Sequence, residues 1–410
     1  NISKKQTRKK ASIGAYNSLT IPGTSPNKSG NRWSLANVNK QIYNTMKHTS
    51  LFIACLCVAS LFTACQSGVD YQPWSKEKAQ AWYESHPYRA GCNFQPSTAI
   101  NQIEMWQSST FDAATIDREL GWAEELGFNL MRVYLSSVVW QNEPEAYKAH
   151  IDEYLTIAES HGIKTLFVIF DDCWNPESAF GEQPAPKPGV HNSGWVQDPA
   201  VSLRADTATL FPILEQYVKD VMTTFKNDER IWMWDLYNEP GNSGHKMTSM
   251  PLLRNVFRWA RECQVSQPLT VGVWFMECPE LNQFQLANSD IISYHNYSNL
   301  DNHRQCIDTL RQHERPMVCT EYMARRNGSY LQTILPLLKE HNVAAINWGF
   351  VSGKTNTIFA WDEPMPEAQE PPLWFHDIFR QDHTPFNIEE VNTIQSIMIP
   401  SNNGYYENNR

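Results

Sequence analysis

Residues 231–240 read Ile231-Trp232-Met233-Trp234-Asp235-Leu236-Tyr237-Asn238-Glu239-Pro240. The first seven are apolar almost throughout, as in a strand covered on both faces. The run closes on Asn238-Glu239-Pro240. Eighty-two positions later a second such run, Pro316-Met317-Val318-Cys319-Thr320, closes on Glu321. An acid at the end of an apolar strand is costly to bury unless it has a task or a partner. Two of them at carboxyl ends of strands are what a parallel barrel needs to aim two carboxylates into one mouth.

Working outward, six more short apolar runs surround these two: 91–94, 129–135, 165–170, 269–275, 290–297 and 344–350. Amphipathic stretches separate them. Ile116, Leu120, Ala123 and Leu126 share one helical face, and so do Ile151, Tyr154, Leu155 and Ala158. Asp112 stands where an N-cap belongs, and Gly127 and Gly162 where helices stop. A last helix is expected over 388–397. Regular β–α alternation implies a parallel sheet, and eight repeats favour a closed (β/α)8 TIM barrel in one domain, residues 89–400. No Gly-rich phosphate loop favours the doubly wound alternative. The connections after the third and eighth strands are long, 173–205 and 351–372. Both follow strands, so both are expected to wall the mouth.

The chain has 410 residues, 34 basic and 44 acidic, for a net charge of −10. Residues 1–45 hold eight Lys and Arg and no acid, so the remainder carries 26 − 44 = −18. An acidic body argues against nucleic acid or an anionic membrane surface as partner. It suits a neutral polymer.

The amino-terminal part reads as targeting sequence. Met46-Lys47-His48 precedes a short apolar stretch, Ser50 to Ala64, and Leu61-Phe62-Thr63-Ala64-Cys65 resembles a bacterial lipoprotein lipobox with Phe62 where Leu is usual. The expectation is a signal peptide over 46–64, lipidation at Cys65, a tether and lead-in over 65–88, and export to a bacterial membrane, periplasmic or surface-facing. Residues 1–45 lack period and are expected to be upstream sequence translated by mistake; residues 401–410 are expected to form a loose tail. The six remaining cysteines show no metal spacing and read mostly as small buried hydrophobes.

The ordered set of N-E-P at the fourth strand, His295-x-Tyr297 at the sixth, Glu321 at the seventh and Trp348 at the eighth resembles the retaining glycoside hydrolases of clan A, nearest to family-5-like cellulases and mannanases. It covers roughly 89–391. The resemblance implies that Glu239 is the acid/base and Glu321 the nucleophile of a double displacement on a β-linked poly- or oligosaccharide. Retention needs the carboxyls roughly 5–5.5 Å apart, inversion roughly 6.5–9.5 Å. It further implies that Asn238 donates to the sugar 2-hydroxyl, Tyr297 orients Glu321, His295 contacts the acid/base or the sugar, Arg132 sits under the nucleophile, and Trp348 floors a subsite. Trp174, Trp195, Trp274 and Trp361 are further candidate platforms. Many relatives carry a His after the third strand. Here Asp171 and Asp172 stand instead, candidates for sugar hydroxyls or for capping the loop. No metal or cofactor is expected, and a monomer is. A non-catalytic sugar-binding lipoprotein and a transglycosylase on the same scaffold remain the alternatives.

Overall fold

The computed structural model describes residues 72–274 and 278–399. The signal segment, Cys65, residues 1–45 and the tail lie outside them. Eight parallel strands form one sheet: β1 Ala90–Asn93, β2 Leu130–Tyr134, β3 Lys164–Val168, β4 Ile231–Asp235, β5 Leu269–Thr270, β6 Ile292–His295, β7 Met317–Tyr322 and β8 Ala344–Trp348. Each expected run supplies one strand. β1 pairs with both β2 and β8. The remaining seam, between β5 and β6, is joined by a parallel bridge from Val273 to Tyr294. The result is a TIM barrel. β5 is shorter than its apolar run because the chain leaves regular pairing after Thr270.

Local signals account for the helices. Asp112 caps α3 (Ala113–Glu125) by accepting from Thr115 N. Gly127 and Gly162 take φ of +80° and +68° after α3 and after α5 (Pro144–Ser160), values that glycine reaches without a Cβ penalty. The last helix, α11, spans Ile388–Met398.

The lead-in is more than a tether. Residues Lys76–Glu84 form a helix, α1, capped by Ser75. It closes the amino-terminal end of the barrel. Tyr83 Oη meets Met317 O, Asn342 O and Ala344 N, and its ring packs with Leu130, Leu166, Val318 and Ile346 at strand starts. That plug leaves the opposite, carboxyl-terminal mouth as the open end, where barrel chemistry is built. No helix among the described residues is long and apolar enough to cross a membrane.

Candidate active site

Strand ends deliver the expected residues to one mouth. Glu321 lies where the β6–β7 and β7–β8 registers both slip, so the irregularity re-aims its side chain. Glu239 lies just past β4 with φ +44°, a conformation unusual for Glu and harder still before proline. Backbone held this way at a strand end is typical of functional positions.

Glu321 is nearly fully enclosed, and its oxygens are all engaged. Oε1 accepts from Arg132 Nη1 at 2.8 Å and Tyr134 Oη at 3.0 Å; Oε2 accepts from Tyr297 Oη at 2.7 Å. Arg132 is fully buried. It also bridges Asp235 at 2.8 Å, Asn93 at 2.7 Å and Asn238 Oδ1 at 2.7 Å. Burial opposes its charge, but Tyr134, Asp235 and Glu321 outweigh that and hold it protonated.

Glu239 has a different setting. Oε1 meets His295 Nδ1 at 2.8 Å; Oε2 accepts from Cys173 Sγ at 3.3 Å and from Asn242 Nδ2. Burial pushes its carboxyl above the usual range, with Cys173, Asn242 and Arg132 pulling back only partly. His295 is held neutral, its value pushed down to about 4 by burial. The two carboxyl groups thus sit in unlike surroundings: Glu321 is held by a guanidinium and two phenols, Glu239 by an imidazole, a thiol and an amide.

Oxygens of Glu239 and Glu321 and a nitrogen of His295 lie within 4.8 Å of one another. Among the described residues this trio has the spacing of a metal-binding group. The second layer argues for another use: Arg132 touches Glu321 directly, and a guanidinium placed there repels a cation while supporting an anion.

Two expectations about the third strand change. Asp171 and Asp172 are both buried, with their oxygens spent on protein donors. Asp171 accepts from Asn238 Nδ2 at 2.9 Å, Cys173 N at 2.9 Å and Trp195 Nε1 at 2.7 Å. Asp172 accepts from Arg204, Tyr237, Gly241 N and Ser249. They orient the loop and Asn238 instead of facing a sugar. Asn238 itself is fixed at both ends of its amide, by Arg132 and by Asp171.

Trp348 lies beside Tyr134 and Trp195 with rings edge-on, at centroid distances of 6.0 and 5.9 Å. Trp195 is buried with its indole N–H on Asp171, so its ring is wall, not platform. Trp174 is exposed at φ +72° and leans on His191; Trp361 packs edge-on against Tyr297. Trp274 donates to Pro240 O. Sequence reasoning missed Tyr134, Cys173 and Asn242. Tyr134 had a signal: it lies two residues beyond Arg132 on one strand, hence on the same face.

The barrel and its two-carboxylate mouth define the class, a TIM barrel with a paired acidic site. Comparison then adds relatives. The family model described as "Glycosyl hydrolases family 2, TIM barrel domain" matches residues 180–349, a segment that carries both Glu239 and Glu321. The search of curated proteins finds no match. Among solved structures, one similar fold is a variant of GH5_18 from Streptomyces cattleya in complex with Manb1-4GlcNAc. It is 13% identical with a TM-score of 0.50, over 76% of this chain and 80% of that one. Another is the endo-beta-1,4-mannanase from Thermotoga petrophila, 14% identical with a TM-score of 0.48, over 77% of each chain.

Proposed function

We propose that the protein is a retaining β-glycoside hydrolase acting on a β-linked oligo- or polysaccharide. The observation that carries this reading is the pair of carboxyl groups, with oxygens within 4.8 Å and unlike surroundings. The match of residues 180–349 to a glycosyl hydrolase barrel supports it. In this reading Glu321, paired with Arg132 at 2.8 Å, attacks the anomeric carbon while Glu239 protonates the departing oxygen. The glycosyl–Glu321 ester forms as the glycosidic C–O bond breaks. Glu239, now a carboxylate, takes a proton from water, which opens the ester and returns both groups to their first state. Tyr297 and Tyr134 keep Glu321 aimed, and His295 keeps Glu239 aimed.

The test is a panel of β-linked polysaccharides and aryl β-glycosides. Glu321→Ala is expected to lose at least about 10⁴-fold in turnover, since it removes the nucleophile of a covalent route. Wild-type rates in that variant would refute the nucleophile role. The anomeric form of the first product, read by NMR, decides retention against inversion.

The lipobox-like Leu61-Phe62-Thr63-Ala64-Cys65 supports a second proposal, export with a lipid anchor on Cys65. Cys65→Ala is expected to move the protein from the membrane fraction to the soluble one. An unchanged membrane fraction counts against lipidation.

A further inference from the structure

One end of the mouth is walled. The loop after β3 and the loop after β8 are stitched by Asn192 N to Thr355 O at 2.8 Å, Met365 N to Gly189 O at 3.0 Å, and Asn356 Nδ2 to Lys187 O at 2.9 Å. The segment after β1 joins both. Lys354 N donates to Ser97 O at 3.1 Å, Asn101 Nδ2 to Gly194 O at 2.9 Å and Gln102 Nε2 to Val196 O at 2.7 Å. The loops after β8, β1 and β3 are thus bonded to one another above the carboxyl-terminal ends of their strands.

At its base is a crevice of about 20 Å³ lined by Asn93, Gln95, Tyr134, Asn192, Trp195 and Trp348, among others. That is room for a single water or a single hydroxyl. It adjoins the nucleophile, because Tyr134 in its lining donates to Glu321, and Asn93 accepts from Arg132. Asn192 is 1% exposed, yet neither Nδ2 nor Oδ1 has a hydrogen-bond partner, and neither does Gln95 Oε1. Burying an amide with neither end paired carries an uncompensated desolvation cost. The backbone there is also held at φ +46°, a value Asn tolerates better than most residues. A buried, unpaired amide aimed into a crevice beside the nucleophile needs a polar ligand. The sugar that becomes attached to Glu321 brings hydroxyls to that spot.

We propose that the wall ends the cleft on the glycone side, so that the enzyme removes terminal sugars from chain ends, and that Asn192 reads hydroxyls of that sugar. The proposal rests on the hydrolase reading and adds its mode of attack. A chain running through the site would have to cross the stitched loops.

Time-resolved product analysis on a defined β-linked oligosaccharide tests the mode. Release of monosaccharide from the non-reducing end at the earliest times is expected; internal fragments at those times would overturn the exo reading. Asn192→Gly keeps the φ and removes the amide. Asn192→Asp, checked by thermal melting, guards against a folding defect. On aryl β-glycosides with single hydroxyls deleted, the wild type is expected to disfavour one deoxy analogue by about tenfold or more in kcat/KM. Asn192→Gly is expected to abolish that discrimination. Discrimination unchanged in both variants would remove Asn192 from recognition. A wild type that cleaves no β-glycoside at all would instead bring down the hydrolase reading, and this inference with it.

Discussion

Arg132 holds more of the site together than any other side chain. From the second strand its guanidinium reaches the first, the fourth and the seventh, touching Asn93, Asp235, Asn238 and Glu321 with no exposure to solvent. Removing one member of a buried ion network leaves uncompensated charge, which costs about 3–5 kcal/mol. Arg132→Met is therefore expected to lower stability by about that amount in urea denaturation, and to remove activity as well. A loss below about 1 kcal/mol would mean that Asp235 and Glu321 are solvated, contrary to their burial. Glu239 gives a second residue-scale expectation. In the proposed reading Glu239 is the general acid and must be protonated to act, so kcat/KM on substrates with poor leaving groups is expected to fall as pH rises through the Glu239 value, which burial has raised. Replacing it with Gln should depress turnover of those substrates and abolish the alkaline limb of whatever rate remains, while sparing activated aryl glycosides, which need no proton. A limb surviving in Glu239→Gln belongs to another group.

At the scale of elements, the tightest constraint is where β1 meets β2. Gly91 pairs with Leu130, and a Cβ on Gly91 would lie 1.5 Å from the Leu130 carbonyl oxygen. No rotamer relieves a clash with backbone. Gly91→Ala is expected to cost about 3 kcal/mol or more, seen as a lower Tm. A near-neutral result would show that β1 can shift away from β2. The elements were mostly legible from the chain because a barrel strand, covered on both faces, prints as an apolar run, and 231–240 is the plainest case. Glu239, Glu321, Tyr297 and His295 were legible because they punctuate such runs. The rest depended on encounters that chain order does not record. Nothing near Asp172 announces Arg204 or Ser249 as its partners, so the chain alone left both acids open between sugar contact and loop capping. Asn192 sits in a loop without period, and only the β8 loop lying against it shows that its amide is enclosed. Lys76–Glu84 read as lead-in because its face is matched by strand starts far along the sequence.

At the scale of the whole molecule, the long β8 connection is secured from the neighbouring strand, β7. Arg325, just past β7 and 1% exposed, donates to Glu390 of α11 through Nε at 2.8 Å and Nη2 at 2.5 Å. It also holds the carbonyls of Trp374, His376 and Asp377 within the loop. One side chain thus joins the strand that carries Glu321, the loop that walls the mouth and the last helix. Arg325→Leu keeps apolar bulk but strands Glu390 and three carbonyls, a loss of about 3–5 kcal/mol. The effect should not be uniform. Segments that depend on Arg325, residues 374–379 and 388–398, are expected to lose amide-exchange protection before β1–β4 do, because local opening there no longer breaks this network. Since the same loop stitches to Asn192, loosening it should also raise KM for terminal-sugar substrates more than it lowers kcat. Hydrogen exchange followed by peptide mass analysis distinguishes the outcomes: protection lost equally over the whole barrel would mean that Arg325 contributes only global stability, and that the wall holds through its stitches to the β1 and β3 loops alone.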